Sequence, residues 1–251
     1  MTNLGSEFSD SYVESVQEEY NQNGCIKFSE VIPRDKALEL GVELHTLIEA
    51  ENRDVQWDGD FINAEERAKS KVLDMHEVQD ASENFERLRH DSRILGRLAV
   101  LLGGPVVYHH NKGFVKPGVH GETYGGKFPS HQDYPFFPHY NHNMLAAIIY
   151  MTDITEDMGP VKVFPGSHHD GPRQTTEGRP YINPNEFPPE DAVTMTGKAG
   201  DMVAFNVNTV HMSGPNKSLM DRVSWLIQVT HPDSKPLNDH REPYQGEVLW
   251  P

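Results

Sequence analysis

The fold is decided by residues 130–151, SHQDYPFFPHYNHNMLAAIIYM, in which a polar, turn-rich segment leads into eight consecutive apolar residues. An apolar run of this kind between turn residues is typical of a β-strand. Downstream and upstream of it lie more short apolar runs, which Gly, Pro and Asn clusters separate. These runs span residues 106–110, 114–116, 161–164, 202–207 and 223–230. The pattern predicts a mainly β protein with many short strands.

The first hundred residues have a different pattern. Val13, Val16 and Tyr20 are spaced as on one helix face, and Asn23-Gly24 ends that element. A short strand is expected at 25–28, an amphipathic helix over 37–48 and another single helix over 85–102. The polar segment 51–80, with isolated Trp57 and Phe61, is predicted to be a surface loop or lid. Helices followed by about eight strands favour a jelly roll or barrel with helices on one side.

The order of predicted helices and strands also indicates the domain organisation. We expect one domain over 1–251, in which 1–104 form a helical buttress and lid, 105–232 the β core and 233–251 a C-terminal tail. A chain of this length buries enough surface to fold without disulfides or structural metal.

Composition narrows the classes of partner. The chain has 22 Lys+Arg against 38 Asp+Glu, a formal net charge of −16, and it shows no basic block. Such a surface repels phosphate, so nucleic acid is not expected, and a neutral or cationic small molecule is favoured over a strongly anionic one. Cys25 is the only cysteine, which excludes an internal disulfide. Since residues 1–10 do not resemble a signal peptide and no apolar run is long enough to span a membrane, we expect a cytoplasmic protein.

A candidate metal site begins at His131. In a strand, residues two apart point to the same face, so His131 and Asp133 would lie side by side. His211 follows the apolar run 202–207 and is the best candidate for a third ligand. Two imidazoles and one carboxylate on one face of an ion leave positions open, which is the arrangement of non-haem Fe(II) oxygenases.

A candidate anion site follows further along. Arg222 begins the last apolar strand, eleven residues after His211. A guanidinium is suited to holding a carboxylate through two parallel hydrogen bonds. Ser224 on the same strand face and Ser213, two residues after His211, offer hydroxyl groups. A metal triad near a buried Arg suits a dicarboxylate co-substrate that chelates the metal with one end.

At this point the chain resembles the phytanoyl-CoA dioxygenase family of Fe(II)- and 2-oxoglutarate-dependent oxygenases. The resemblance is carried by an ordered set of segments and residues over most of the chain. They are 18–28 (EEYNQNGCIKF), 114–117 (FVKP), 131–133 (HQD), 150–155 (YMTDIT) with 158–160 (MGP), 163–168 (VFPGSH), and His211, Ser213, Asn216, Ser218 and Arg222.

The resemblance implies a double-stranded β-helix, which is a cupin-like jelly roll. It implies Fe(II) held by His131, Asp133 and His211, and 2-oxoglutarate held at its distal carboxylate by Arg222, with Ser213 and Lys116 nearby. The implied reaction consumes O₂, releases succinate and CO₂, and hydroxylates or otherwise oxidises an unactivated C–H of a small molecule. Two alternatives stay open, namely a cupin-like metal enzyme that does not use 2-oxoglutarate, and a non-catalytic jelly-roll binding protein.

The remaining conspicuous residues have plainer interpretations. The turn that contains His168-His169 is interpreted as structural rather than as a second metal site. His109-His110 are expected on opposite faces of a strand. The aromatic residues and histidines that flank the HQD motif, at 120–142, are candidates for a substrate cavity or its cover. The acidic run 58–66 is interpreted as a solvated face.

Overall fold

The computed structural model describes residues 8–51, 69–175, 180–183, 185–237 and 244–251. The acidic run 58–66, Trp57 and Phe61 lie outside these residues. No helix in the described ranges combines the length and apolar character that crossing a membrane requires.

Four α-helices and thirteen strands are present in the described residues. The helices are α1 (Asp10–Asn23), α2 (Arg34–Glu51), α3 (Glu83–Arg89) and α4 (Ser92–Leu102). The strands before the metal motif are β1 (Cys25–Phe28), β2 (Ser70–Lys71), β3 (Leu73–His76), β4 (Val106–Lys116) and β5 (Tyr124–Gly125). Those from the motif onward are β6 (Phe128–His131), β7 (Met144–Tyr150), β8 (Val161–Val163), β9 (Val193–Thr194), β10 (Met202–Asn206), β11 (His211–Ser213), β12 (Arg222–Thr230) and β13 (Val248–Trp250).

The strands form two main antiparallel sheets. The larger sheet has the order β1-β10-β7-β12-β4-β13, with β3 also paired to β4. The smaller sheet has the order β6-β11-β8-β9, and β2 pairs with β5 separately. The helices cover the outer face of the larger sheet, and a cavity lined by residues of both sheets lies between them. This is the expected double-stranded β-helix with flanking helices.

Strand β7 shows why the apolar run is continuous. Its seven residues are all buried. Leu145, Ala147 and Ile149 pack into the core beneath the helices. Ala146, Ile148 and Tyr150 face the space between the two sheets. Because side chains alternate along a strand, a strand covered on both faces needs apolar residues at every position.

The N-terminal elements match their sequence patterns. Helix α1 begins after Ser9, whose hydroxyl accepts a hydrogen bond from the Tyr12 amide, and ends at Gly24, which adopts φ 69°. Glycine reaches this left-handed conformation without the steric cost of a Cβ. The PGSH turn contributes to the same helix end, because His168 and His169 bond the carbonyl oxygens of Asn21 and Gln22 through their Nε2 atoms. These contacts support the structural interpretation of that turn.

Two predictions for the first hundred residues were wrong. Segment 70–80, expected to be loop, contains β2, β3 and a 3₁₀ turn, since Met75 and Val78 supply buried apolar side chains and β3 pairs with β4. The helix expected over 85–102 is two helices, because the Asp91 carboxylate accepts a hydrogen bond from the Arg93 amide and starts a new one. The C-terminal tail also contributes a strand, β13, to the larger sheet.

Strand β4 corrects two further expectations. It runs without a break through Val106–Lys116, where two separate runs were expected. The register of β4 against β12 shifts by one residue beside His109, since Gln228 pairs with His110 but Val229 pairs with Tyr108. Such a bulge turns neighbouring side chains toward one side of the sheet. His109 and His110 therefore lie in contact, with their Nδ1 atoms 2.7 Å apart, rather than on opposite faces.

Candidate functional site

Two strands of the smaller sheet bring the candidate metal ligands together. His131 ends β6 and His211 begins β11, and these two residues are directly opposite in the antiparallel register. The Oδ1 atom of Asp133 lies 3.9 Å from Nε2 of His131 and 3.6 Å from Nε2 of His211. All three ligand atoms lie within 4.8 Å of one another. Since metal–ligand bonds are about 2.1 Å, two ligands of one ion are separated by at most about 4.2 Å, so both measured distances suit a single ion.

Both imidazoles are oriented by the backbone. Nδ1 of His131 is 2.7 Å from the carbonyl oxygen of Pro129, and Nδ1 of His211 is 3.0 Å from that of Thr209. A carbonyl oxygen only accepts, so each Nδ1 carries the proton and each Nε2 keeps its lone pair for a metal. Burial lowers the pKa of both imidazoles to about 4. The two rings are therefore neutral at physiological pH, as ligands must be.

The carboxylate of Asp133 is held in one orientation. Nε2 of Gln228 on β12 donates a hydrogen bond of 3.3 Å to its Oδ2, while Oδ1 faces the two histidines. Burial raises the pKa of Asp133, and the nearby charge of Lys112 opposes that shift. Gln228 is not among the site residues predicted from the sequence. The available signal was its position, six residues after Arg222 on the same strand face.

The middle residue of the motif fixes the motif to its surroundings. Nε2 of Gln132 donates to the carbonyl oxygens of Gly171 and Asn208, and its Oε1 accepts from the Arg173 amide. The side chain thus points away from His131 and Asp133, as alternation along an extended segment requires. Gln132 therefore connects the segment just after β6 to two separate loops, one at 171–173 and one at Asn208.

The opposite end of the cavity contains two buried cations. Lys116 and Arg222 are directly opposite in the β4–β12 register, and their exposed fractions are 0% and 5%. Nζ of Lys116 donates to Oγ of Ser213 at 2.7 Å and to the Gly214 carbonyl oxygen at 2.8 Å. Nη1 of Arg222 donates to the Gly159 carbonyl oxygen, whereas its Nε is buried without a hydrogen-bond partner. Within the described ranges, neither cation forms an ion pair.

Burial has the same electrostatic effect on both cations. It lowers the pKa of Arg222 to about 10 and that of Lys116 well below its ordinary value, with the charge of Arg222 adding to the effect on Lys116. Two adjacent buried positive charges without a carboxylate are costly. An anion bound between the sheets would offset this cost.

The cavity connects the two ends. Ser213, Arg222 and Ser224 line it together with His131, Asp133 and His211. Lys116 lies behind Ser213 and touches the site through that hydroxyl. Apolar side chains supply most of the remaining wall. They are Phe114, Phe128, Phe136, Phe137, Ile148, Val161, Phe205, Met212 and Leu226. The structure therefore brings together every residue of the metal and anion sites that the sequence singled out.

Of the other candidates, few reach the cavity. Phe136 and Phe137 line it, and His110 also contributes to the wall. Tyr140 is exposed, at 72%. His139 is buried and donates to the Phe137 carbonyl oxygen, so it supports the wall from behind.

Comparison with known proteins gives a consistent assignment. The model of the family described as phytanoyl-CoA dioxygenase (PhyH) matches residues 20–224. The chain is 28% identical over 233 residues to the L-proline trans-4-hydroxylase of Streptomyces griseoviridis, covering 80% of this chain and 85% of that protein. It is 26% identical over 255 residues to the ectoine dioxygenase of Streptomyces anulatus, covering 92% and 81% respectively.

Among solved structures, the epimerase SnoN in complex with Fe³⁺, alpha ketoglutarate and nogalamycin RO has the same fold. The two structures superpose with a TM-score of 0.76 at 20% sequence identity, covering 95% of each chain. The family match extends from the end of α1 into β12 and includes the metal motif, the PGSH turn and Arg222. The chain belongs to the phytanoyl-CoA dioxygenase family of Fe(II)- and 2-oxoglutarate-dependent oxygenases.

Proposed function

We propose that this protein is a dioxygenase that uses Fe(II), 2-oxoglutarate and O₂ to hydroxylate, or otherwise oxidise, a C–H bond of a small molecule. Succinate and CO₂ are the co-products. The observation that carries the proposal is the pair of buried cations beside a two-histidine, one-carboxylate triad. Arg222 lines the same cavity as the triad, and Lys116 lies behind Ser213 in its wall.

The triad suits the metal. His131, Asp133 and His211 would hold Fe(II), since one ligand atom from each lies within 4.8 Å of the others. The metal, when bound, supplies O₂ activation coupled to the oxidative decarboxylation of 2-oxoglutarate. The chain's own contribution is to fix the ligands through Pro129, Thr209 and Gln228, and to surround the site with apolar walls that exclude water.

The cation pair suits the co-substrate. Arg222 would bind the distal carboxylate of 2-oxoglutarate, with Ser213 and Ser224 as hydroxyl partners. Lys116 would act on the same carboxylate through its charge and through Ser213, whose hydroxyl it already orients. A dianion between a metal and these cations places negative charge where burial has left positive charge unbalanced.

The alternatives explain less of the cavity. A cupin-like enzyme without 2-oxoglutarate has no use for two buried cations beside the metal ligands. A non-catalytic binding protein has no use for two neutral imidazoles whose Nε2 atoms lie within 4 Å of one carboxylate oxygen. Overall, the acidic chain favours a small molecule that is neutral or cationic as a whole.

A screen for substrate-dependent succinate release tests the proposal. Purified protein with Fe(II), ascorbate, O₂ and 2-oxoglutarate is incubated with a metabolite panel, and succinate is measured for each compound. We expect one or a few compounds to raise succinate release well above the slow release without substrate. His131→Ala serves as the blank, since it removes one ligand of the triad.

Two results would contradict the proposal. One is wild-type succinate release that equals the His131→Ala blank with and without every compound. The other is turnover of a compound that proceeds unchanged when 2-oxoglutarate is omitted, which would favour the cupin-like alternative.

A further inference from the structure

We propose that Lys112 forms a carboxylate subsite for the substrate, so that the substrate carries a carboxylate next to the carbon skeleton that is oxidised. This inference rests on the proposed function. It concerns the part of the cavity that neither the metal nor 2-oxoglutarate would occupy.

The position of Lys112 follows from the strand register. His110, Phe114 and Lys112 itself all line the cavity, as alternate residues of β4 do. Lys112 pairs with Leu226, and the Lys116–Arg222 pair lies four residues further along the same two strands. At about 3.4 Å per residue, the backbones of these two positions are about 14 Å apart. Lys112 therefore belongs to a different part of the cavity from the anion site at Arg222.

The same part of the cavity borders the metal ligands. The charge of Lys112 acts on Asp133, and the neighbouring position of β12 on that face is Gln228, which donates to Asp133. Phe136 lies with its ring centroid 6.0 Å from that of His131, and Phe137 lies 4.8 Å from that of His110. Lys112 and two aromatic rings thus surround the space beside the triad.

The charges of the wall indicate what that space binds. Among the cavity-lining residues that the structure describes, Asp133, Arg222 and Lys112 are the ones with a formal charge. The metal would use the first and 2-oxoglutarate the second. An ammonium group has three donors, so Lys112 can bind a substrate oxygen whatever other contacts it makes. A single ammonium without a guanidinium fork beside it matches one singly charged carboxylate.

The carboxylate is compatible with the acidic surface of the chain. A molecule with both a carboxylate and an amino group is neutral overall, and it approaches a chain of charge −16 without net repulsion. Its apolar carbons would lie against Phe136 and Phe137. The carboxylate at Lys112 would then determine which C–H bond is presented to the metal.

Matched ligand pairs test the subsite. A panel of small carboxylates with cyclic, linear and aromatic skeletons is paired with the corresponding carboxamides, and L-proline with L-prolinamide. Binding is read under anaerobic conditions from the change that each compound causes in the visible band of the Fe(II)–2-oxoglutarate complex. We expect carboxylates to bind at least about tenfold more tightly than their amides. Lys112→Met should remove this preference for carboxylates. Lys112→Glu should bind L-prolinamide more tightly than L-proline.

The controls separate this inference from the proposed function. Lys36→Met removes an exposed lysine of α2 and should leave the preference unchanged. If the band forms but the carboxylates fail to bind, or bind no better than the amides, or if the preference survives in Lys112→Met, the subsite is overturned and the proposed function stands. If no band forms in the wild-type protein although Fe(II) and 2-oxoglutarate both bind, both proposals are overturned.

Discussion

The two ends of the cavity have opposite electrostatic needs. At the smaller sheet, His131, Asp133 and His211 present one negative charge and two neutral rings to a common point. In the larger sheet, where β4 ends and β12 begins, Lys116 and Arg222 present positive charge that no described carboxylate balances. The first end would suit a cation, and the second would suit an anion. Burying both sets of groups costs the fold stability, which bound metal and dicarboxylate would offset.

The largest effect is expected from a substitution that removes a candidate metal ligand at the first end of the cavity. Asp133→Gly removes the only carboxylate of the triad. We expect Fe(II) affinity and succinate release to fall by more than about 100-fold, which exceeds the loss that is typical when a residue that only orients a metal ligand is replaced. Metal binding is measured by isothermal titration with Co(II) or Fe(II) under anaerobic conditions. Retained hydroxylation in Asp133→Gly would remove Asp133 from the metal site.

The second prediction concerns the other end. Arg222→Met removes a buried cation proposed to bind a carboxylate, and such a truncation costs about 2–5 kcal/mol. We therefore expect 2-oxoglutarate to bind at least about 30-fold more weakly, with Fe(II) affinity unchanged. Arg222→Lys keeps the charge without the two-pronged geometry and should recover part of the loss. Equal loss of metal and 2-oxoglutarate binding would show that the two ends are not separate.

A third substitution tests whether Gln228 orients the carboxylate of Asp133 at the first end of the cavity. Gln228→Leu removes the hydrogen bond to Oδ2 of Asp133 while keeping similar volume. We expect metal affinity to fall by about 10- to 100-fold, as for other residues that orient a metal ligand. The unfolding temperature of the metal-free protein serves as the control, and it should change little. Unchanged metal affinity would mean that Asp133 is positioned by the backbone alone.

The smallest expected effect is a pH dependence of the free energy of unfolding, which arises from Lys116 at the second end of the cavity. Burial in the folded protein lowers the pKa of Lys116 below its ordinary value of 10.5. At pH values between the lowered pKa and 10.5, the unfolded chain therefore binds more protons than the folded chain. The free energy of unfolding should therefore rise with pH over this window in the metal-free protein. Lys116→Met should lack this rise, as urea denaturation at several alkaline pH values can show. Parallel pH profiles for the two proteins would place Lys116 outside the buried cation pair.

Sequence patterns predicted the parts of the site that depend on local spacing. His131 and Asp133 are two residues apart in an extended segment, and Arg222 and Ser224 are two residues apart on one strand, so strand alternation places each pair on one face. The distances between these pairs depend on tertiary pairing. Only the register of β6 against β11 and of β4 against β12 brings His131 opposite His211 and Lys116 opposite Arg222.

The errors have a similar origin. The contact of His109 with His110 depends on a bulge opposite Gln228 and Val229, which the strand pattern does not reveal. Strand β3 lies in the segment 51–80, which is predicted to be a loop because it is polar and rich in Asp and Glu. The assignment of β3 depends on its pairing with β4, which the composition of the segment does not reveal. Gln228 was missed because a glutamine in a buried strand gains its role only from the carboxylate across the cavity.

The central claim is that one ferrous ion and one 2-oxoglutarate bind side by side in this cavity. An anaerobic titration of the Fe(II)-loaded protein with 2-oxoglutarate, followed by visible absorption, tests it most directly. The account predicts a charge-transfer band that saturates at one 2-oxoglutarate per chain, is lost in Asp133→Gly and needs much more 2-oxoglutarate in Arg222→Met. A protein that binds the metal and 2-oxoglutarate without developing this band would contradict the claim.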